Sequence, residues 1–81
     1  MRLKNIIDFF EKINYLADVY GLTTRTTASD SEETFVINFY SKDIDIVFAS
    51  ISIPYSVICN SNCPRILATE YFNDLLLATD E

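Results

Sequence analysis

Thr34-Phe35-Val36-Ile37-Asn38-Phe39-Tyr40 is the stretch on which the fold turns. Its residues are β-branched or aromatic almost throughout, and they alternate with period two. Phe35, Ile37 and Phe39 fall on one side, and Val36, Asn38 and Tyr40 on the other. That is the pattern of a strand with one face in a core. Just upstream, Ser29 and Glu32 fit the S-x-x-E capping box that opens helices. The alternation that follows rejects a helix, so Ser29-Asp30-Ser31-Glu32-Glu33 reads as a turn by composition.

Outward from this strand, residues 22–28 are rich in threonine and read as an edge strand with Arg25 facing water. On the other side, Ser41-Lys42-Asp43 turns the chain into a third strand over residues 44–53. There the large residues change phase, from Ile44, Ile46 and Phe48 to Ile51 and Ile53. One extra residue near Ala49 and Ser50, a β-bulge, returns all five to a single face. Pro54 ends the strand's pairing or marks a sheet edge. Residues 55–59 read as a short fourth strand or as irregular chain.

Two helices enclose the strands. Over residues 3–20, Leu3, Ile6, Phe10, Ile13, Ala17 and Tyr20 recur at spacings of three and four, with Phe9 and Leu16 widening the apolar face. Gly21 supplies the left-handed position that ends such a helix. Near the other end, Asn62 or Cys63 caps a helix whose first turn holds Pro64, and residues 64–78 follow. Leu67, Ala68, Tyr71, Phe72 and Leu75 form its buried stripe, and Leu77 points off it.

The order is α-β-β-β-(β)-α over one domain, residues 1–81. The expected class is α+β: an antiparallel meander of three strands, or four, flanked by an N-terminal and a C-terminal helix. A sheet with one wet face should carry more polar residues than Val36 and Tyr40 on its second side. Either the helices lie on opposite faces, or a partner covers the second one. Val36, Tyr40 and Leu77 are accordingly the expected contact of a homodimer.

Composition narrows the chemistry. The 81 residues include no histidine and one glycine, and carry a net charge of −6. Without histidine, no side chain shuttles protons near neutrality at its unperturbed pKa. With one glycine there is no glycine-rich phosphate loop. The six basic residues are scattered along the chain, which disfavours direct contact with nucleic acid or an anionic membrane. Asp8, Glu11 and Lys12 interrupt any secretory signal, and residues 46–58 are too short to cross a bilayer. A cytoplasmic location is expected, with both cysteines reduced.

Candidate sites were weighed against plain structural roles. Cys59 and Cys63 are two thiols without a histidine, short of the four ligands of a structural zinc site. Cys63 at a helix start is the better candidate for thiol activation, and a buried or capping role outweighs it. Asp43 and Asp45 share one side of a strand start, but a divalent cation needs more oxygens than they supply. No Ser, Thr or Cys has an evident base beside it. The expectation is a non-enzymatic protein with no metal and no cofactor.

What remains is surface. Asp8, Glu11 and Asp18 line one helix face around Tyr15, spread over about 15 Å at a rise of about 1.5 Å per residue. Such a row imitates a run of phosphates. Asp30, Glu32, Glu33, Asp43 and Asp45 extend the acidic surface, although the strand between the two groups separates them by about 20 Å. Lys12, which can pair with Asp8, dilutes the row. Two functions are expected. One is a small acidic inhibitor of phage or mobile-element type that occupies a basic nucleic-acid-binding surface of a host nuclease or RNA-guided defence effector. This is an analogy of size and architecture. The other is a homo-oligomeric module that associates through an apolar sheet face.

Overall fold

The computed structural model describes residues 3–43 and 46–79. The central strand is the one the alternation marks. β2 (Thr34–Ser41) lies between β1 (Leu22–Ser29) and β3 (Val47–Pro54) in an antiparallel sheet of order β1-β2-β3. Ahead of it runs α1 (Leu3–Val19), and after it come α2 (Tyr55–Cys59) and α3 (Pro64–Thr79). The protein is thus an α+β meander between an N-terminal and a C-terminal helix.

Pairing of Phe35, Ile37 and Phe39 with Ala28, Thr26 and Thr24 on one side, and with Ile53, Ile51 and Ala49 on the other, defines the inner face. Ile37, Phe39, Ile51 and Ile53 are buried there beneath Phe9, Ile13 and Ala17 of α1 and Ala68, Phe72 and Leu75 of α3. Both helices therefore cover the same face, and the arrangement with one helix on each side is not adopted. The outer face consists of Thr23, Arg25 and Thr27, then Val36, Asn38 and Tyr40, then Val47, Ser50 and Ser52. Hydroxyl and amide groups dominate it, as a wet face requires.

The two helices run parallel. At the start of α1, the Asn5 amide reaches the carbonyls of Ile58, Cys59 and Ser61, just before α3. Further along, Glu11 meets Arg65, and at the far end the ring of Tyr20 meets that of Phe72 at 5.4 Å. Edge-on ring contacts dock the pair on the sheet, Phe10 against Phe35 at 5.1 Å and Phe72 against Phe39 at 5.8 Å.

Three expectations are corrected. Residues 55–59 are the short helix α2, because Pro54 at its N-cap directs the chain out of the sheet and Ile58 turns into the core. The bulge falls at Phe48, earlier than Ala49 and Ser50: Phe39 pairs with Ala49 and Tyr40 with Val47. Phe48 and Ile46 consequently stay exposed, and Ala49 takes the inner position beside Ile51 and Ile53. Leu3 and Tyr20, assigned to the apolar face of α1, are mostly exposed, since they lie at the helix ends beyond the sheet's cover. Ile44 lies outside the described residues.

Local signals elsewhere act as read. Gly21 has φ +73° directly after the last turn of α1, and its N–H donates to Asp18 O at 3.1 Å. Cys63 O accepts from the Leu67 N–H at 3.1 Å, which makes Cys63 the N-cap of α3. Pro64 follows in the first turn, where no N–H is needed.

Candidate functional site

The acidic row of α1 forms as the helical spacing requires, but two of its three carboxylates are engaged. Arg65 Nη2 donates to Glu11 Oε2 at 2.9 Å. The Lys42 ammonium donates to Asp18 Oδ1. Lys12, expected to pair with Asp8, instead places Nζ 5.2 Å from the centre of the Tyr15 ring. Asp8 is half-buried, whereas Tyr15 stands exposed. The row is therefore partly neutralised from within the chain.

Asp30, Glu32 and Glu33 are exposed together in the loop between β1 and β2. Glu33 holds φ +50°, the left-handed turn that brings the chain back into β2, and its carbonyl accepts from the Tyr55 N–H at 2.8 Å. The Tyr55 ring lies 4.4 Å from that of Phe35. Its phenol pKa is raised above the usual 10 by loss of solvent in this packing, then by the charge of Asp30 and a hydrogen bond to it, then by Glu33. Asp43 is exposed beyond the opposite end of β2, so the sheet separates these acids as anticipated. Asp45 lies outside the described residues.

Val36 and Tyr40 share the outer face of the sheet, and Arg25 covers the Tyr40 ring at 5.0 Å. Ser50 Oγ donates to Asn38 Oδ1 between them at 2.6 Å. Leu77, 72% exposed, belongs to the helical layer on the other side. These three residues do not make one surface. Cys59 is half-buried and Cys63 exposed, both as free thiols. Among the described residues, no three of Cys, Asp and Glu converge on a common point, and no helix is long and apolar enough to cross a membrane.

A different constellation emerges where the two parallel helices end. Val19 closes α1 and Tyr20 follows it, Ile46 precedes β3, which Val47 and Phe48 open, and Leu77 lies in the last turns of α3; all six are exposed. Tyr20 against Phe72, Phe72 against Phe39, and Tyr40 opposite Val47 bring these segments to the same end of the sheet, with Val47 on its outer face and Leu77 in the helical layer. Asp43 and Asp74 are exposed beside them, the latter one turn before Leu77. The phase change in the third strand was the signal for this end. Its misplacement put Ile46 and Phe48 in the core.

Neither a protein-family model, nor a curated protein, nor a solved structure matches this chain significantly.

Proposed function

We propose that the chain is a small acidic protein-binding module that acts by contact rather than catalysis, and that its apolar end is the contact. The observation that carries this reading is the gathering of Val19, Tyr20, Ile46, Val47, Phe48 and Leu77 at the ends of three elements. Single exposed apolar residues are ordinary, whereas several brought to the same end of a fold favour an interaction site. Its flanks favour a basic partner. Asp43 and Asp74 are exposed there, and the nearby cation, Lys42, is held by Asp18.

The partner that fits is a protein surface with an apolar centre and basic rim. A nucleic-acid-binding surface of a host nuclease or RNA-guided effector, occupied by an inhibitor of phage or mobile-element type, is the specific form we favour. The net charge of −6 supports it, as does analogy of size and architecture. Engagement of Glu11 and Asp18 within the chain moves the weight of the contact from the α1 row to the apolar end.

The test compares three forms of the protein in capture from host lysate at low and moderate salt: the natural chain, Phe48→Lys with Leu77→Lys, and Asp8→Lys with Glu11→Lys and Asp18→Lys. The expected result is a partner retained by the first and third forms and lost from the second, with binding reduced but not abolished by salt. A partner that survives in the second form and disappears from the third overturns the assignment of the surface. Absence of any partner overturns the function.

A further inference from the structure

We propose that Tyr20 is an arginine-binding position on the apolar end, the exposed face of its ring receiving a guanidinium group of the protein partner. This rests on the reading of that end as the contact. The comparison that points to it lies among the chain's five tyrosines. Tyr55 packs on Phe35 at 4.4 Å and Tyr71 on Phe9 at 6.4 Å, both half-buried. Of the other three, Tyr15 carries Lys12 Nζ 5.2 Å from its ring centre, and Tyr40 carries the Arg25 guanidinium at 5.0 Å. Tyr20 is 55% exposed, and among the described residues no cation lies over its ring.

That ring is held in place to receive one. The Tyr20 N–H donates to Leu16 O at 3.3 Å and Ala17 O at 3.1 Å, and the Gly21 N–H donates to Asp18 O at 3.1 Å, which fixes the backbone just beyond α1. The side chain meets the buried ring of Phe72 at 5.4 Å with an interplanar angle of 63°. Whichever ring presents its edge, such a contact occupies no more than one face of Tyr20. The other face stays open to a cation.

The surroundings select the occupant by charge. The Lys42 N–H donates to Gly21 O at 3.2 Å, which sets the turn at residues 41–43 against the end of α1. Asp43 is exposed there, its N–H tied to Ser41 Oγ at 3.3 Å. The one cation of this turn, the Lys42 ammonium, is bound to Asp18, and neither α1 nor α3 has a base in its last turn. An uncovered aromatic face near an exposed carboxylate takes its cation from outside the chain. Arginine fits better than lysine, because a planar, weakly hydrated guanidinium stacks flat on a ring while its N–H groups reach a carboxylate. Arginine also recognises phosphate through two parallel hydrogen bonds, so a nucleic-acid-binding surface of the partner presents it.

Residue-resolved NMR titration with hexa-arginine and hexa-lysine peptides tests the proposal. The arginine peptide should bind at least about twofold more tightly than the lysine peptide, shift the Tyr20 ring and the Gly21 amide, and give Overhauser contacts from its Cδ protons to that ring. Tyr20→Leu should weaken arginine binding about two- to fivefold, whereas Tyr20→Phe, which keeps a ring, should retain it. If the leucine variant loses the fold, the ring contacts and the arginine preference of the natural chain decide. Equal affinity for the two peptides overturns the proposal, as do shifts confined to Asp30, Glu32 and Glu33. So does a lysate partner that Phe48→Lys with Leu77→Lys loses and Tyr20→Leu retains undiminished; that result keeps the apolar contact and removes its arginine position. Arginine contacts at Tyr20 without any lysate partner would support the position and overturn the function.

Discussion

The side-chain amide of Asn5 donates to the carbonyl oxygen of Cys59 at 3.0 Å, and the same nitrogen lies 3.2 Å from Ile58 O and 3.1 Å from Ser61 O. One short polar side chain thus ties the first turn of α1 to the end of α2 and the approach to α3. Carbonyls at the end of α2 and just beyond it thereby gain a side-chain donor in a partly buried place. Asn5→Ala should lower stability by about 1–3 kcal/mol. Asn5→Asp, which turns a donor into an anion facing three oxygens, should cost more. Urea unfolding of the two variants measures both, and equal stability to the natural chain would refute this role.

Phe72 is in ring contact with both Phe39 and Tyr20 and is fully buried. Truncation to alanine leaves a cavity between layers and should cost about 3–5 kcal/mol. A chain of 81 residues has a total margin of about 4–12 kcal/mol, so Phe72→Ala should give up a large share of it and unfold at a markedly lower temperature. Thermal unfolding by circular dichroism gives the result.

Gly21 separates backbone strain from packing unusually well. An added Cβ there meets nothing within 4 Å, while φ is +73°. Gly21→Ala should therefore cost only the conformational penalty, about 1–2 kcal/mol. The urea midpoint should fall with an unchanged slope.

Tyr55 gives an alkaline signature. Its phenol pKa is raised in the folded chain, first by loss of solvent and then by Asp30. A group that binds its proton more tightly when folded contributes stability that is complete below the unfolded value of about 10 and is lost as pH rises through the folded one. Stability should decline above pH of about 10, and Tyr55→Phe should remove that component of the decline. Phenolate absorbance during alkaline titration should show one late-titrating tyrosine in the natural chain that Asp30→Asn moves earlier.

The exposed Glu11 and Arg65 pair is expected to contribute little, about 0–1 kcal/mol. Arg65→Ala should leave unfolding by urea nearly unchanged. A larger loss would mean that the guanidinium holds the helices together through packing of its stem.

Much of this architecture is legible along the chain because its decisive signals are local. The alternation in residues 34–40, Gly21 after an amphipathic run, and proline at the start of α3 each act within a few residues. The face that α1 and α3 choose is a different kind of fact. Val36 and Tyr40 suggested cover on the second face, but their polar neighbours, Thr27, Arg25, Ser50 and Ser52, arrive from other strands through the register. The α1 acids were placed correctly on one side of their helix, while the cations that meet them, Lys42 and Arg65, are brought in by tertiary folding. For the same reason the bulge was felt in the sequence but located only by the pairing of Phe39 and Tyr40 with β3.

The parallel course of α1 and α3 has an electrical consequence. Peptide dipoles add along each helix, leaving about half a positive charge at its start and half a negative one at its end. Two antiparallel helices would cancel at a distance; these two reinforce. Neither has an acid in its first turn or a base in its last to offset the effect. The potential therefore slopes along the shared direction of the two helices, most negative toward the end that holds Tyr20 and Leu77. An approaching cationic surface would be turned toward that end before any contact formed.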